Sequence, residues 1–310
     1  MELLRDIHSD GYPTDYLVAR VRSRRAELLG PMSRAAAPRQ PEPTSDESIW
    51  NDLLAEFDWL RTQMNPGLRR CLAPVFTLFA LKTLVLCLRN KVAERHGAVG
   101  RLLGHDLFGD ELRDALTAAP DVGSAVTLVA TMFGTVAGDA RGLGSAYAAG
   151  GLKEVEARLM RDFLAHAVVA PAHPAVRRFF VAFIDQRNVM TLYKQLRWGF
   201  RDASAFVAGG TLETSRLVDA AGRGDDACLD ACVREVAGDA APAVPATEMA
   251  LESRLLSSLT RALRRGAREG DAIELVLDYV WEVYVHARNS ALRLHAGNVD
   301  EVVLEQELIA

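Results

Sequence analysis

Residues 180–200 read FVAFIDQRNVMTLYKQLRWGF, and the fold turns on how that stretch is read. Its first half is apolar on nearly every side, as in a buried helix. Val181, Asp185, Asn188 and Leu192 fall on one helical stripe, at spacings of four, three and four residues. An apolar stripe that carries a carboxylate and an amide has two readings. One is a catalytic pair. The other is a polar clasp that sets how helices pack. Unpaired burial would cost on the order of 1–3 kcal/mol per group, so both side chains are expected to bond to backbone or polar groups of an adjacent helix.

The stretch has counterparts. PVFTLFALKTLVLCLRNK from Pro74, RRFFVAFIDQRNVMTLYKQLRWG from Arg177 and ELVLDYVWEVYVHARNSALRLHAG from Glu274 share a form. Each has an aromatic or apolar entry, a central polar insertion and a basic or amide-rich exit. Phe79, Phe183 and Tyr279 align, 104 and then 96 residues apart. A period near 100 predicts three similar helical domains, at 1–104, 105–205 and 206–310. The first repeat has Leu81 and Leu84 where the second has Asp185 and Asn188, which favours the clasp over chemistry confined to one repeat.

The rest of the chain is also patterned for helix, with abundant Leu, Ala, Arg and Glu and few alternating β-branched runs. YLVARVRSRRAELL follows a helix start at Pro13 and Thr14. Residues 31–48 hold four prolines and read as an exposed loop. IWNDLLAEFDWLRTQM is a helix ended by Asn65-Pro66-Gly67, and a long apolar helix is expected over 72–93. Short helices follow over 102–132, then a glycine-rich break at 138–145, a helix over 152–169 and a break at 170–174. FVAGGTLETSRL, 206–217, reads as turn, cap and helix, with Gly209 and Gly210 in the turn and Thr211 or Thr214 as N-cap. A linker at 241–247 precedes two long helices and an acidic tail at Glu301, Glu305 and Glu307.

Composition is that of an ordinary globular protein: 310 residues, 49% hydrophobic and 25% charged. The net charge of −5 provides no basic field for nucleic acid. Cys228 and Cys232, one helical turn apart, have no histidine within thirty residues, and the four cysteines at 71, 87, 228 and 232 read as small buried residues in a reducing compartment. The N-terminus lacks the form of a signal peptide. The apolar runs at 72–88 and 122–138 fall short of the ~20 strongly apolar residues that span a bilayer.

Several of these motifs resemble one family. YLVARVRSRRAELL is similar to the opening signature of the C-type central-stalk component of V-type and A-type rotary ATPases, related to the d-type component of the eukaryotic pump (the AC39 family). FIDQRNVMTLYK resembles that family's Asp-x-x-Asn helix, with Asp185 and Asn188 in the signature places. FVAGGTLETSRL resembles its Pro-Gly-Gly turn, with Ala208 in place of proline before Gly209 and Gly210. DYVWEVYVHARNSALRLHAGNVDEVVLEQEL resembles the closing helix and tail, with Glu282 kept, Tyr284 in place of a second glutamate and the Asn-x-Arg displaced to Ala287-Arg288-Asn289. Order and spacing agree over about residues 14–308. The resemblance implies an all-α, funnel-shaped protein of three similar domains around a pseudo-threefold axis. It implies a peripheral position on the cytoplasmic face of the membrane rotor ring, with the central-shaft proteins (D/F type) and the rotor-ring proteins as partners and with membrane contact indirect, through the ring. It also implies torque transmission for ATP-driven or ATP-synthesising ion transport, without catalysis or a cofactor.

The residues give chemistry little support. No GxxxxGK[ST] loop is present, and the glycines of 138–145 lack a lysine and a preceding strand. His166 and His173 have no acidic partner at metal spacing. Asp278 and Glu282, one turn apart, are the remaining acid/base or metal candidates, weighed against a salt-bridged face. Arg20, Arg22, Arg24 and Arg25 form the densest basic cluster and are candidates for a partner interface. The alternative function is a helical enzyme, regulator or adaptor that uses those carboxylates or the Arg22–Arg25 cluster.

Overall fold

The computed structural model describes residues 3–29, 45–104, 106–133, 142–170, 173–238, 245, 247–296, 304 and 307–309. Among these residues the regular structure is helical and there is no strand, only an isolated antiparallel bridge between Leu4 and Phe108. The chain is all-α. The proline-rich residues 31–44, the first half of the glycine-rich break (138–141), most of the 241–247 linker, and the tail glutamates 301 and 305 lie outside the described residues. The contacts divide the chain into two compact units, Met1–Ala167 and Val168–Ala310.

The first unit contains α1 (Thr14–Leu29), α2 (Asp46–Gln63), α3 (Pro66–Val92), α4 (His96–Gly104), α5 (Asp110–Ala118), α6 (Val122–Phe133) and most of α7 (Leu143–Val169). Helix α2 starts inside the expected loop. The Ser45 side chain accepts the amide of Ser48, and Asp46 and Glu47 suit the positive end of the dipole. Asn65-Pro66-Gly67 starts a helix as well as ending one: Asn65 Oδ1 accepts the Leu68 amide at 3.0 Å and Pro66 occupies the first turn, where its missing N–H costs nothing. Helix α3 is thus 27 residues, longer than the composition predicted, and by length and apolarity it could cross a membrane. Here 67% of its most apolar window is buried within the protein. Phe76 and Phe79 meet Phe57 of α2 at ring separations of 5.7 and 4.8 Å, so α3 serves as a core helix. Helix α7 kinks at Gly151, whose φ of 65° is non-helical.

The second unit is built on α8 (Pro174–Trp198), which packs against α9 (Thr214–Arg223), α10 (Asp226–Ala237), α11 (Glu248–Glu269) and α12 (Ala272–His295). Helix α8 has no clean polar face because it is surrounded. Val176, Phe179, Phe180, Ile184, Val189 and Leu192 are all buried. Phe179 meets Trp281 of α12 edge to face at 5.8 Å. The Trp281 indole donates to Thr260 Oγ1 of α11 at 2.8 Å, which removes the cost of burying its N–H. Neither threonine of residues 206–217 caps α9. Glu213 takes the N-cap position without a side-chain bond, and Thr211 is used elsewhere.

Candidate functional site: a buried polar clasp

Buried Gln186 of α8 donates to the Leu255 carbonyl of α11 at 2.6 Å, but the other buried polar groups of α8 face a returning segment of chain. After α8 ends at Gly199, whose φ of 67° makes a left-handed cap, residues 202–212 run back along it. Three side chains of α8 hold them. Asn188 donates from Nδ2 to the Val207 carbonyl at 2.8 Å and accepts the Val207 amide on Oδ1 at 2.9 Å. Gln195, seven residues further, repeats the pattern on Asp202, donating at 2.8 Å and accepting at 3.1 Å. Each amide thereby satisfies both backbone groups of one residue, as a neighbouring strand would. Asp185 completes the set. Its Oδ1 accepts the Leu212 amide at 3.0 Å, and its Oδ2 accepts the amide and hydroxyl of Thr211 at 3.0 and 2.7 Å.

The glycine pair follows from this arrangement. Gly209 has φ of +104°, which a side chain would strain. A Cβ on Gly210 would overlap Asp185 Oδ1 and press on Ile184. Gly209 and Gly210 therefore let the turn close down on the carboxylate. Asp185, Asn188 and Gln195 are all buried. The expectation that the first two bond to an adjacent helix is corrected: their partners lie on the looping segment that follows α8. Gln195 lies seven residues from Asn188 on the same stripe, and nothing in the sequence marks it as part of a clasp.

Helix α12 carries the same device. Asn289 donates to the Ile309 carbonyl at 2.8 Å and accepts the Ile309 amide at 3.2 Å. The partner lies 20 residues downstream, against 19 for Asn188 and Val207. Arg288 adds bonds to the Glu307 carbonyl and to Ser253 of α11, both at 3.2 Å. In α3 the corresponding Leu81 and Leu84 are buried apolar residues. There the N-terminal segment is held by backbone instead, Arg5 donating to Leu107 at 2.8 Å, and buried Arg61 donates to the carbonyl of Arg5 at 2.7 Å.

The other candidates are also engaged in structure. Buried Glu282 accepts Arg264 Nε at 2.5 Å, and Arg264 faces Asp278 as well, both of which push its guanidinium above its ordinary value. Arg20 reaches Gln63 and lies over the Trp59 ring at 5.2 Å; Arg24 pairs with Glu56 and lies 3.8 Å from the same ring centroid. The cluster does not form one basic stripe: Arg20 and Arg24 bind α2, and Arg22 is exposed. Burial pushes the thiols of Cys87 and Cys232 up to about 12, which suits inert packing groups. Among the described residues no group of three or more His, Cys, Asp or Glu could hold a metal ion. An open groove of about 480 Å³ beside the clasp is lined by Arg177, Arg178, Val181, Asp185, Thr211 and Val236, among others. In it, Arg178 pairs with Glu274 at 2.5 Å.

A search among curated proteins finds no match. The family model described as ATP synthase (C/AC39) subunit matches residues 33–289, most of the 310-residue chain. The Asp-x-x-Asn helix and the glycine-pair turn both fall inside that span. The chain belongs to the ATP synthase (C/AC39) subunit family.

Proposed function

We propose that this protein is a non-catalytic central-stalk component of a V/A-type rotary ATPase, coupling the rotating shaft to the membrane rotor ring. The observation that carries this is how the buried polar groups of the second unit are used. Asp185 accepts three donors from residues 211–212, Asn188 and Gln195 each pair with one backbone residue, and Glu282 binds Arg264. Asp185, Asn188 and Gln195 lock a segment to α8, and Glu282 ties α12 to α11. A part that transmits torque needs such fixed register, whereas an active site needs polar groups with unsatisfied capacity aimed into a cleft. Three similar domains around a pseudo-threefold axis would form a socket for the shaft. The position is peripheral, on the cytoplasmic face of the ring, with the shaft and ring proteins as partners. Torque would then serve ATP-driven or ATP-synthesising ion transport.

The test is co-expression with the shaft and rotor-ring proteins of the same organism, with affinity capture on this chain. Recovery of both partners, and loss of coupled ion transport without this chain, is expected. Capture of neither, or full coupling in its absence, overturns the proposal.

A further inference from the structure

The turn that follows α8 displays two large aromatic side chains to solvent. Trp198 is 63% exposed and Phe200 43%, and their rings stack at 6.3 Å with 27° between planes. Exposure of this kind on a floppy loop would mean little. This turn is built. Gly199 caps the helix in the left-handed region, its amide bonding to the Gln195 carbonyl at 3.0 Å. Buried Gln195 holds both backbone groups of Asp202. The Asp202 carboxylate in turn bonds to the amide and hydroxyl of Ser204 at 2.9 and 2.7 Å. The rings therefore stand on a fixed support, and little conformational entropy remains to be lost when they are covered.

Cations surround them. Lys194 Nζ lies 5.8 Å from the Trp198 ring centroid, and Arg197 and Arg201 are exposed on either side of the pair. Arg197 also lies over Tyr193 at 5.5 Å. Lys194 shares its charge with Glu248 at 2.6 Å, and Asp202 is occupied by its own turn. The two arginines are left as the outward charge. Two stacked rings offer far less area than the ~800 Å² per partner of a stable protein interface. They suit shallow insertion at a membrane–water boundary, where Trp and cationic side chains are favoured together.

We infer that the turn Arg197–Arg201 is a contact for an anionic lipid surface, with Trp198 and Phe200 entering the headgroup region and Arg197 and Arg201 pairing with lipid phosphates. This is a direct lipid contact, separate from any grip on shaft or ring proteins.

The full chain should co-sediment with vesicles of phosphatidylcholine mixed with phosphatidylglycerol and much less with phosphatidylcholine alone. Arg197→Gln with Arg201→Gln should weaken binding about thirtyfold, about fivefold for each cation. Trp198→Ser with Phe200→Ser should weaken it about tenfold or more, with circular dichroism unchanged because both side chains are exposed. Emission from Trp198, isolated by difference against Trp198→Phe, should shift to the blue on the mixed vesicles. Equal binding to both vesicle types, no binding to either, or unchanged binding of the serine variant overturns the inference. So does a serine variant that loses capture of the ring proteins in detergent while the parent chain ignores vesicles, which would make the turn a protein contact. Failure of the coupling proposal would read differently: no partner capture by the parent chain, whatever the vesicles show.

Discussion

Replacing Asn188 by aspartate is the sharpest probe of the clasp, because it changes one atom's hydrogen-bonding character and almost no volume. Asn188 both gives and takes a hydrogen bond at Val207, and both residues are fully buried. In Asn188→Asp the Oδ1 partner of the Val207 amide survives, but the donor to the Val207 carbonyl is replaced by an oxygen. When ionised, that oxygen faces another oxygen at the 2.8 Å separation the donor had held. Losing the donor leaves the carbonyl unsatisfied, about 1–3 kcal/mol, and the buried charge adds to that. The folded state therefore raises the pKa of the new carboxyl above its unfolded value of about 3.9. With a raised folded pKa the variant is most stable where the group is protonated in both states, because the acid can donate to Val207. Relative to the parent, it loses stability as pH rises past the unfolded value and through the folded one. Asn188→Ala supplies the control. It strands both Val207 groups for about 2–6 kcal/mol, with no pH dependence of its own. That cost corresponds to a fall in melting temperature of about 7–20 °C for a unit of this size. Urea unfolding of the full chain, followed by circular dichroism from about pH 4 to about pH 8 and referenced to the parent at each pH, measures both. An aspartate variant whose deficit is flat across that range, or an alanine variant within about 0.5 kcal/mol of the parent, refutes the clasp.

Further outcomes are expected from the same geometry. Gly210→Ala should cost about 2–4 kcal/mol in the same unfolding assay, because the added Cβ displaces a carboxylate held by three donors; Gly209→Ala should cost about 1–3 kcal/mol through its positive φ alone. Asn289→Ala should abolish slow exchange of the Ile309 amide, read by hydrogen–deuterium exchange, while amides in the middle of α12 stay protected. In the first unit, burial raises the carboxyl of Asp106 from 3.8 to about 6, against the opposing pull of Arg113. A raised carboxyl favours the folded state when protonated, so this group removes stability as pH climbs from about 4 to about 6. Asp106→Asn should flatten that part of the stability profile, and an unaltered profile would refute the assignment.

Much of this protein could be read before its structure. Helix content followed from composition and periodicity, because a 3.6-residue apolar repeat needs no knowledge of its partner. The polar interruption at Asp185 and Asn188 was recognisable as a clasp by energetics, since buried polar groups must be paired somewhere. Its recurrence at Asn289 was visible only as a displaced motif, because identity of residue does not reveal which backbone group, 20 residues on, the amide will meet. The length of α3 was underestimated because Asn65-Pro66 reads equally as stop and start, and the decision rests on whether Asn65 finds the Leu68 amide.

Local sequence thus determined that the chain is helical, that a glycine pair sits in a tight turn, and which polar groups needed partners. Tertiary structure alone decided who those partners are. Arg20 and Arg24, charged neighbours in a basic run, turn onto Trp59 and α2, whereas Trp198, apolar at a helix end, stands in solvent. Charge and hydropathy are properties of one residue. Burial and pairing depend on where distant segments return, and hydrogen bonds of about 3 Å exist only after that return has been made.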